Sequence, residues 1–151
     1  AFDIAVGTTA SYTITIPEED SYVYGSPKVT VNIKRDYTWL NIGTGYYTSQ
    51  LFGEGWDQPV LKAKEANIYK LEDCITKGYP IMFTLSDDNQ ELIGWDPQPT
   101  DYGMLYFAAA GMERKGNVLS FPMQGLVVLD GGKWGVLYQG FTETLEMPEG
   151  F

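Results

Sequence analysis

Hydrophobic and polar residues alternate with a period of two along much of this chain. Tyr12, Ile14 and Ile16 share one parity, and Thr13 and Thr15 the other. Side chains on a strand point to opposite faces in turn, so this pattern predicts a half-buried strand. Pro17 ends it, because proline has no N–H to give to a ladder, and the acidic run Glu18-Glu19-Asp20 follows. Val29, Val31 and Ile33 repeat the pattern against Lys28, Thr30, Asn32 and Lys34. Further strands are predicted over 37–42, 81–85, 92–95, 104–109, 118–121, 126–130 and 134–138. Asp87-Asp88-Asn89 reads as a turn, since Asp and Asn bond their own backbone. Gly131-Gly132 is a strong hairpin signal.

Two stretches are less regular. Between Gly43 and Pro59 the glycines at 43, 45, 53 and 55 break the alternation, and 47–52 is expected to form a short helical turn packed by Leu51 and Phe52. Over 60–72 the residues Lys62, Lys64, Glu65, Ala63 and Ala66 favour helix by propensity. Leu61, Ala63, Ile68 and Leu71 keep no helical period, so strands are expected around 60–64 and 67–72. About ten short strands with frequent turns predict an all-β fold, an antiparallel sandwich or barrel-like sheet with at most a short helical turn. A single β-rich domain over 1–151 is expected. Trp56, Trp95 and Trp134 recur every 39 residues, but their flanking text differs too much for a propeller repeat.

Composition narrows the function classes. A chain of 151 residues buries roughly 70% of its unfolded surface and needs no disulfide or metal for stability. The net charge is −10 with only ten basic residues, so nucleic acid is not an expected partner. Nothing approaches about 18 consecutive apolar residues, so no membrane-spanning segment is expected. Histidine is absent, which removes the commonest general base and metal ligand together. Cys74 is the one cysteine and follows Glu72-Asp73, acids that disfavour its thiolate. The chain begins at Ala1 rather than Met, so a leader upstream of it is expected to be out of view.

No nucleophile machinery and no cofactor fingerprint is visible, and neither a cofactor nor a catalytic residue is expected. Gly43-Thr44-Gly45 lacks the third glycine and the lysine of phosphate-binding loops. Ser86-Asp87-Asp88-Asn89-Gln90-Glu91 offers oxygens to calcium but lacks the EF-hand spacing, and reads equally as a solvated hairpin tip. Twenty acids make chance carboxylate pairs unavoidable, so a glycosidase pair has little specificity as a signal. Aromatics are the richer signal. Trp56 with Asp57, and Trp95 with Asp96, stand in loop-like text near prolines, and Tyr46, Tyr47 and Tyr102 lie near glycines. A flat ring beside a carboxylate suits a sugar, whose C–H face stacks on the ring while the acid accepts its hydroxyls. The candidate ligand-binding residues are therefore Trp56, Asp57, Trp95, Asp96, Tyr46 and Tyr102. The competing reading is that these rings plug the ends of the fold.

Several segments resemble, in order, an uncharacterised β-rich module of surface lipoproteins from gut Bacteroidetes. They are Leu40-Asn41-Ile42-Gly43-Thr44-Gly45-Tyr46-Tyr47-Thr48-Ser49-Gln50-Leu51-Phe52-Gly53, Val60-Leu61-Lys62-Ala63-Lys64, Ile68-Tyr69-Lys70-Leu71, Ile93-Gly94-Trp95-Asp96-Pro97-Gln98 with Asp101-Tyr102-Gly103, and Gly116-Asn117-Val118-Leu119-Ser120-Phe121-Pro122 with Gly125-Leu126-Val127-Val128. The resemblance covers about residues 37–147. Ser49 and Gln50 stand where that text has two acids, and Glu72-Asp73-Cys74 where it has Asn-Pro-Tyr. Such modules often follow an immunoglobulin-like domain, so residues 1–36 are either its remnant or the first strands of the same unit. The resemblance implies export to the cell surface or periplasm, a lipid anchor upstream of Ala1, and a polysaccharide-utilisation setting. It carries over no catalytic residue. The expected function is a non-catalytic accessory module binding a polysaccharide, an oligosaccharide or a surface protein partner. The alternatives are a structural spacer or adhesin domain and, behind that, a carboxylate-pair glycosidase.

Overall fold

The computed structural model describes residues 4–15, 28–101 and 103–151, the side chains of Val29 and Lys34 excepted. The fold is all-β, with no helix among the described residues and so none long and apolar enough to cross a membrane. The chain divides into two compact units between Thr38 and Trp39. The expected strand end at Ile16-Pro17, the acidic run after it and Tyr102 lie outside the described residues.

The first unit is a two-stranded antiparallel ribbon, β1 (Thr9–Thr15) on β2 (Lys28–Lys34), in register from Thr9 opposite Lys34 to Thr15 opposite Lys28. The alternation fits this pairing in part: Tyr12 meets Val31 and Ala10 meets Ile33, half-buried pairs between exposed polar neighbours, whereas Ile14, expected on the same face, is 53% exposed.

The second unit is one curled antiparallel sheet of ten strands. Its members are β3 (Trp39–Ser49), β4 (Glu54–Ala63), β5 (Ile68–Thr76), β6 (Tyr79–Leu85), β7 (Leu92–Trp95), β8 (Gln98–Thr100), β9 (Gly103–Ala109), β10 (Glu113–Lys115), β11 (Val118–Asp130) and β12 (Lys133–Glu146). In space they run β7-β6-β5-β4-β3-β12-β11-β9-β8, with β10 on β11. The first and last strands of that path, β7 and β8, are joined by only Asp96 and Pro97. The Asp96 N–H donates to the Met82 carbonyl (2.9 Å), and the Gln98 side-chain amide donates to the Tyr79 carbonyl (2.8 Å), both on β6. The sheet thus rolls back on itself like a barrel, bringing its two end strands, β7 and β8, back against β6.

Tyr47, Tyr69, Phe83, Phe121, Leu71 and Leu145 are sealed inside this curl, each at most 1% exposed. A fully buried side chain of this kind contributes about 1.5–3 kcal/mol. The Gly131-Gly132 turn closes the β11–β12 hairpin as expected, with φ of 54° and 79°, values in the left-handed region where L side chains are strained.

Three expectations need correction. Tyr47 to Ser49 finish β3 rather than joining a helical turn, and the β3–β4 hairpin turn is confined to 50–53, closed by the Gly53 N–H donating to the Ser49 carbonyl (2.9 Å) as in a single α-turn. Leu51 packs against the core as expected, whereas Phe52 is 47% exposed. The stretch 118–130 is one bulged strand rather than two. Trp56 and Trp95 lie within β4 and β7 rather than in loops. Proline signals misled here. Pro59 is tolerated in β4 because the ladder to β5 begins only at Val60.

Candidate functional site

β3, β4 and β12 lie side by side, and their register builds a row of three side chains. Tyr46 on β3 stands opposite Asp57 on β4 and, on its other side, opposite Glu146 on β12. Directly opposed residues share a face, with neighbouring strands about 4.8 Å apart. An aromatic ring, 44% exposed, is therefore flanked by a carboxylate on each neighbouring strand, and both carboxylates are exposed. Thr44, Asp57, Asn117, Glu146 and Glu149 line a groove of about 460 Å³ beside Tyr46. Further along the same strands a shallow groove of about 600 Å³ is lined by Thr48, Gln50, Glu54, Thr142 and Thr144.

Two glycines hold this row together. A Cβ on Gly55 would lie 2.7 Å from the Tyr46 ring, so only glycine lets the ring lie down across β4. A Cβ on Gly45 would lie 2.2 Å from the Glu146 carbonyl oxygen, so glycine also sets how closely β3 approaches the end of β12.

The structure brings together only part of the expected set. Tyr46 and Asp57 share the groove. Trp56, the neighbour of Asp57, points to the other face and stacks on Tyr47 with centroids 5.2 Å apart. Its indole N–H donates to Gln58 Oε1 (3.1 Å), and the Gln58 amide donates on to the Glu72 carbonyl (2.9 Å). One edge of Trp56 borders a separate cleft of about 330 Å³ with Phe52, Glu54, Asp73 and Lys77. Trp95 is half-buried and packs against the core. Its ring meets Phe121 at 4.9 Å, Phe83 at 5.1 Å and Phe107 at 5.4 Å, and its buried indole N–H has no hydrogen-bond partner. Asp96 is exposed beyond that cluster, away from Tyr46 in the sheet order. The rings thus divide between the two readings, Tyr46 outward and Trp95 as filling.

Sequence reasoning missed Glu146, Asn117 and Thr44, and it missed a buried acid. In Phe141-Thr142-Glu143-Thr144-Leu145-Glu146-Met147 the apolar residues keep one parity, and Glu143 falls on it. That pattern is the signal that could have found it. Glu143 is fully buried. Its Oε1 accepts from the Ser49 hydroxyl (3.0 Å) and the Leu51 N–H (3.4 Å), while Oε2 and the nearby Tyr47 hydroxyl have no hydrogen-bond partner. Burial pushes the Glu143 carboxyl above its usual range, against the pull of the adjacent Tyr47 hydroxyl, the Ser49 hydroxyl and the Leu51 N–H. Burial also pushes the Tyr47 hydroxyl and the Cys74 thiol upward, and the charge of Glu143 adds to both shifts.

The acidic tip at 86–91 turns its oxygens on itself. The Ser86 hydroxyl donates to Asp88 Oδ1 (2.7 Å), and the Gln90 N–H donates to the same oxygen (3.1 Å), which holds the Asp88 carboxyl below its usual range. Among the described residues, no cluster of three or more acids or cysteines is arranged to hold a metal ion. No protein-family model matches the chain, nor does any curated protein or solved structure.

Proposed function

We propose that this chain is a non-catalytic accessory module that binds a neutral glycan along the outer face of β4, β3 and β12. The observation that carries the reading is the row Asp57–Tyr46–Glu146, an exposed ring between two exposed carboxylates. Stacking on the ring suits the C–H face of a pyranose, and the carboxylates accept its hydroxyls. The two grooves that follow the same strands give room for several sugar units, and their threonine and amide side chains add neutral hydrogen-bonding groups. Asp57, Glu146, Glu149 and Glu54 all border this trough, so a uronic-acid or sulfated chain meets like charge. The likeness of residues 37–147 to exported lipoprotein modules supports a cell-surface setting for this binding.

Titration calorimetry with a panel of neutral and anionic polysaccharides tests the proposal. The expected result is saturable binding of a neutral glycan, abolished in Tyr46→Ala, kept in Tyr46→Phe and weakened in Asp57→Asn. Silence toward every neutral glycan, or binding that survives Tyr46→Ala unchanged, overturns it.

A further inference from the structure

β12 changes character along its length. From Glu143 to Glu146 it is paired on both sides, with β11 and with β3. The ladder to β3 stops there, and the Gln50 side-chain oxygen accepts the Thr142 N–H (2.6 Å), capping the end of it. From Lys133 to Thr142 the strand pairs with β11 alone among the described strands of its sheet. Within the described sheet, the N–H and C=O groups turned away from β11 there form an unpaired edge.

This edge lacks the charges and prolines that commonly protect one, and its interruptions are a bulge opposite Leu126/Val127 and the left-handed Gly140 (φ 64°). Proteins blunt long edges with charges, prolines or extreme shortness. Trp134-Gly135-Val136-Leu137-Tyr138-Gln139-Gly140 has no charge and no proline, within a chain of net charge −10. Trp134 is 62% exposed, Val136 58%, Leu137 48% and Tyr138 50%. Trp134 packs on Tyr106 of β9 (5.0 Å between centroids), which widens the apolar surface across the sheet. A bulge at Leu126/Val127 leaves Leu137 unmatched on β11 and turns the strand locally.

We propose that this edge is a homodimer interface, in which β12 of one copy pairs antiparallel with β12 of a second across residues 134–141. Three features point to a second copy. An antiparallel edge is self-complementary about a two-fold axis, since residue i meets j and j meets i. The charge-free segment lets two strongly acidic chains approach without repulsion at the contact. The four exposed apolar side chains offer on the order of 400 Å² per copy. With both strand edges and Tyr106 added, a pair reaches about 1,200 Å², the lower bound of stable interfaces. This interface is separate from the Tyr46 groove and does not depend on the glycan reading.

Sedimentation velocity of the whole chain, from about 1 to 100 µM, tests it. The expected result is a concentration-dependent dimer. Val136→Lys and Trp134→Glu, each placing a charge on the edge, should raise the dissociation constant at least about tenfold and leave the far-UV circular dichroism unchanged. Hydrogen exchange supplies a second readout on the unsubstituted chain, with amides 134–141 slowing as concentration rises. A monomer throughout the range, a dimer that survives both substitutions, or amides 134–141 protected only when a glycan or foreign peptide is added overturns the proposal.

Discussion

Replacing Glu143 by Gln should stabilise this protein at neutral pH, an unusual direction for a substitution in a sealed core. The wild-type carboxylate is fully buried, with two donors on Oε1 and none on Oε2. Glutamine keeps a carbonyl oxygen for Ser49 and Leu51, and puts an N–H₂ at the Oε2 position, beside the Tyr47 hydroxyl, which makes no well-aligned hydrogen bond to the carboxylate and can accept from the amide. Leaving a buried polar atom unpaired costs about 1–3 kcal/mol, and more when it carries charge, so the gain at pH 7 should be about 1–3 kcal/mol. For a chain of this size that is a rise of about 2–10 °C in Tm. The sign with pH follows from the raised carboxyl. A group whose folded pKa lies above the unfolded value binds more protons when folded. Its contribution is most favourable below the unfolded pKa of about 4.3, and it declines as pH rises through the folded value. The advantage of Glu143→Gln should therefore be small near pH 4 and grow toward pH 7. Urea unfolding of both proteins at each pH measures this difference, and the other carboxylates cancel in it. A glutamine variant that is no more stable at pH 7, or a difference flat with pH, refutes the reasoning.

Two further outcomes follow from the core. Trp95→Ala should cost about 3–5 kcal/mol, because it empties the centre of a cluster formed by Phe83, Phe107 and Phe121; urea denaturation reads the loss, and a cost under about 1 kcal/mol would move Trp95 out of the core. Cys74 is buried and its thiol is held protonated by burial and by Glu143. It should resist a thiol reagent at pH 8 in the native state and react at once in urea, so rapid native labelling contradicts the packing described.

Some of this architecture was open to reading along the chain, and some was closed to it for a physical reason. Alternation is local, so it revealed β1, β2 and β6 but split β11 in two, and Gly131-Gly132 announced its hairpin because left-handed φ is a property of the residue itself. The first half of β4 was missed because Gly53, Gly55 and Pro59 read as loop, and its buried parity there includes Gln58, a polar residue whose partners are Trp56 and the distant Glu72 carbonyl. Glu143 was hidden in the same way, its hydroxyl partner lying 94 residues away. Period two tells which residues share a face of one strand and is silent on which strand lies alongside. Tyr46 could thus be singled out as a ring near glycines, and Asp57 as an acid. That they stand opposite each other with Glu146 beyond, and that Trp95 faces inward, was decided by register and curl. The open edge of β12 is of the same kind. Its apolar residues are plain in the sequence, but whether a strand is covered depends on where its neighbours end, and only the assembled sheet determines that.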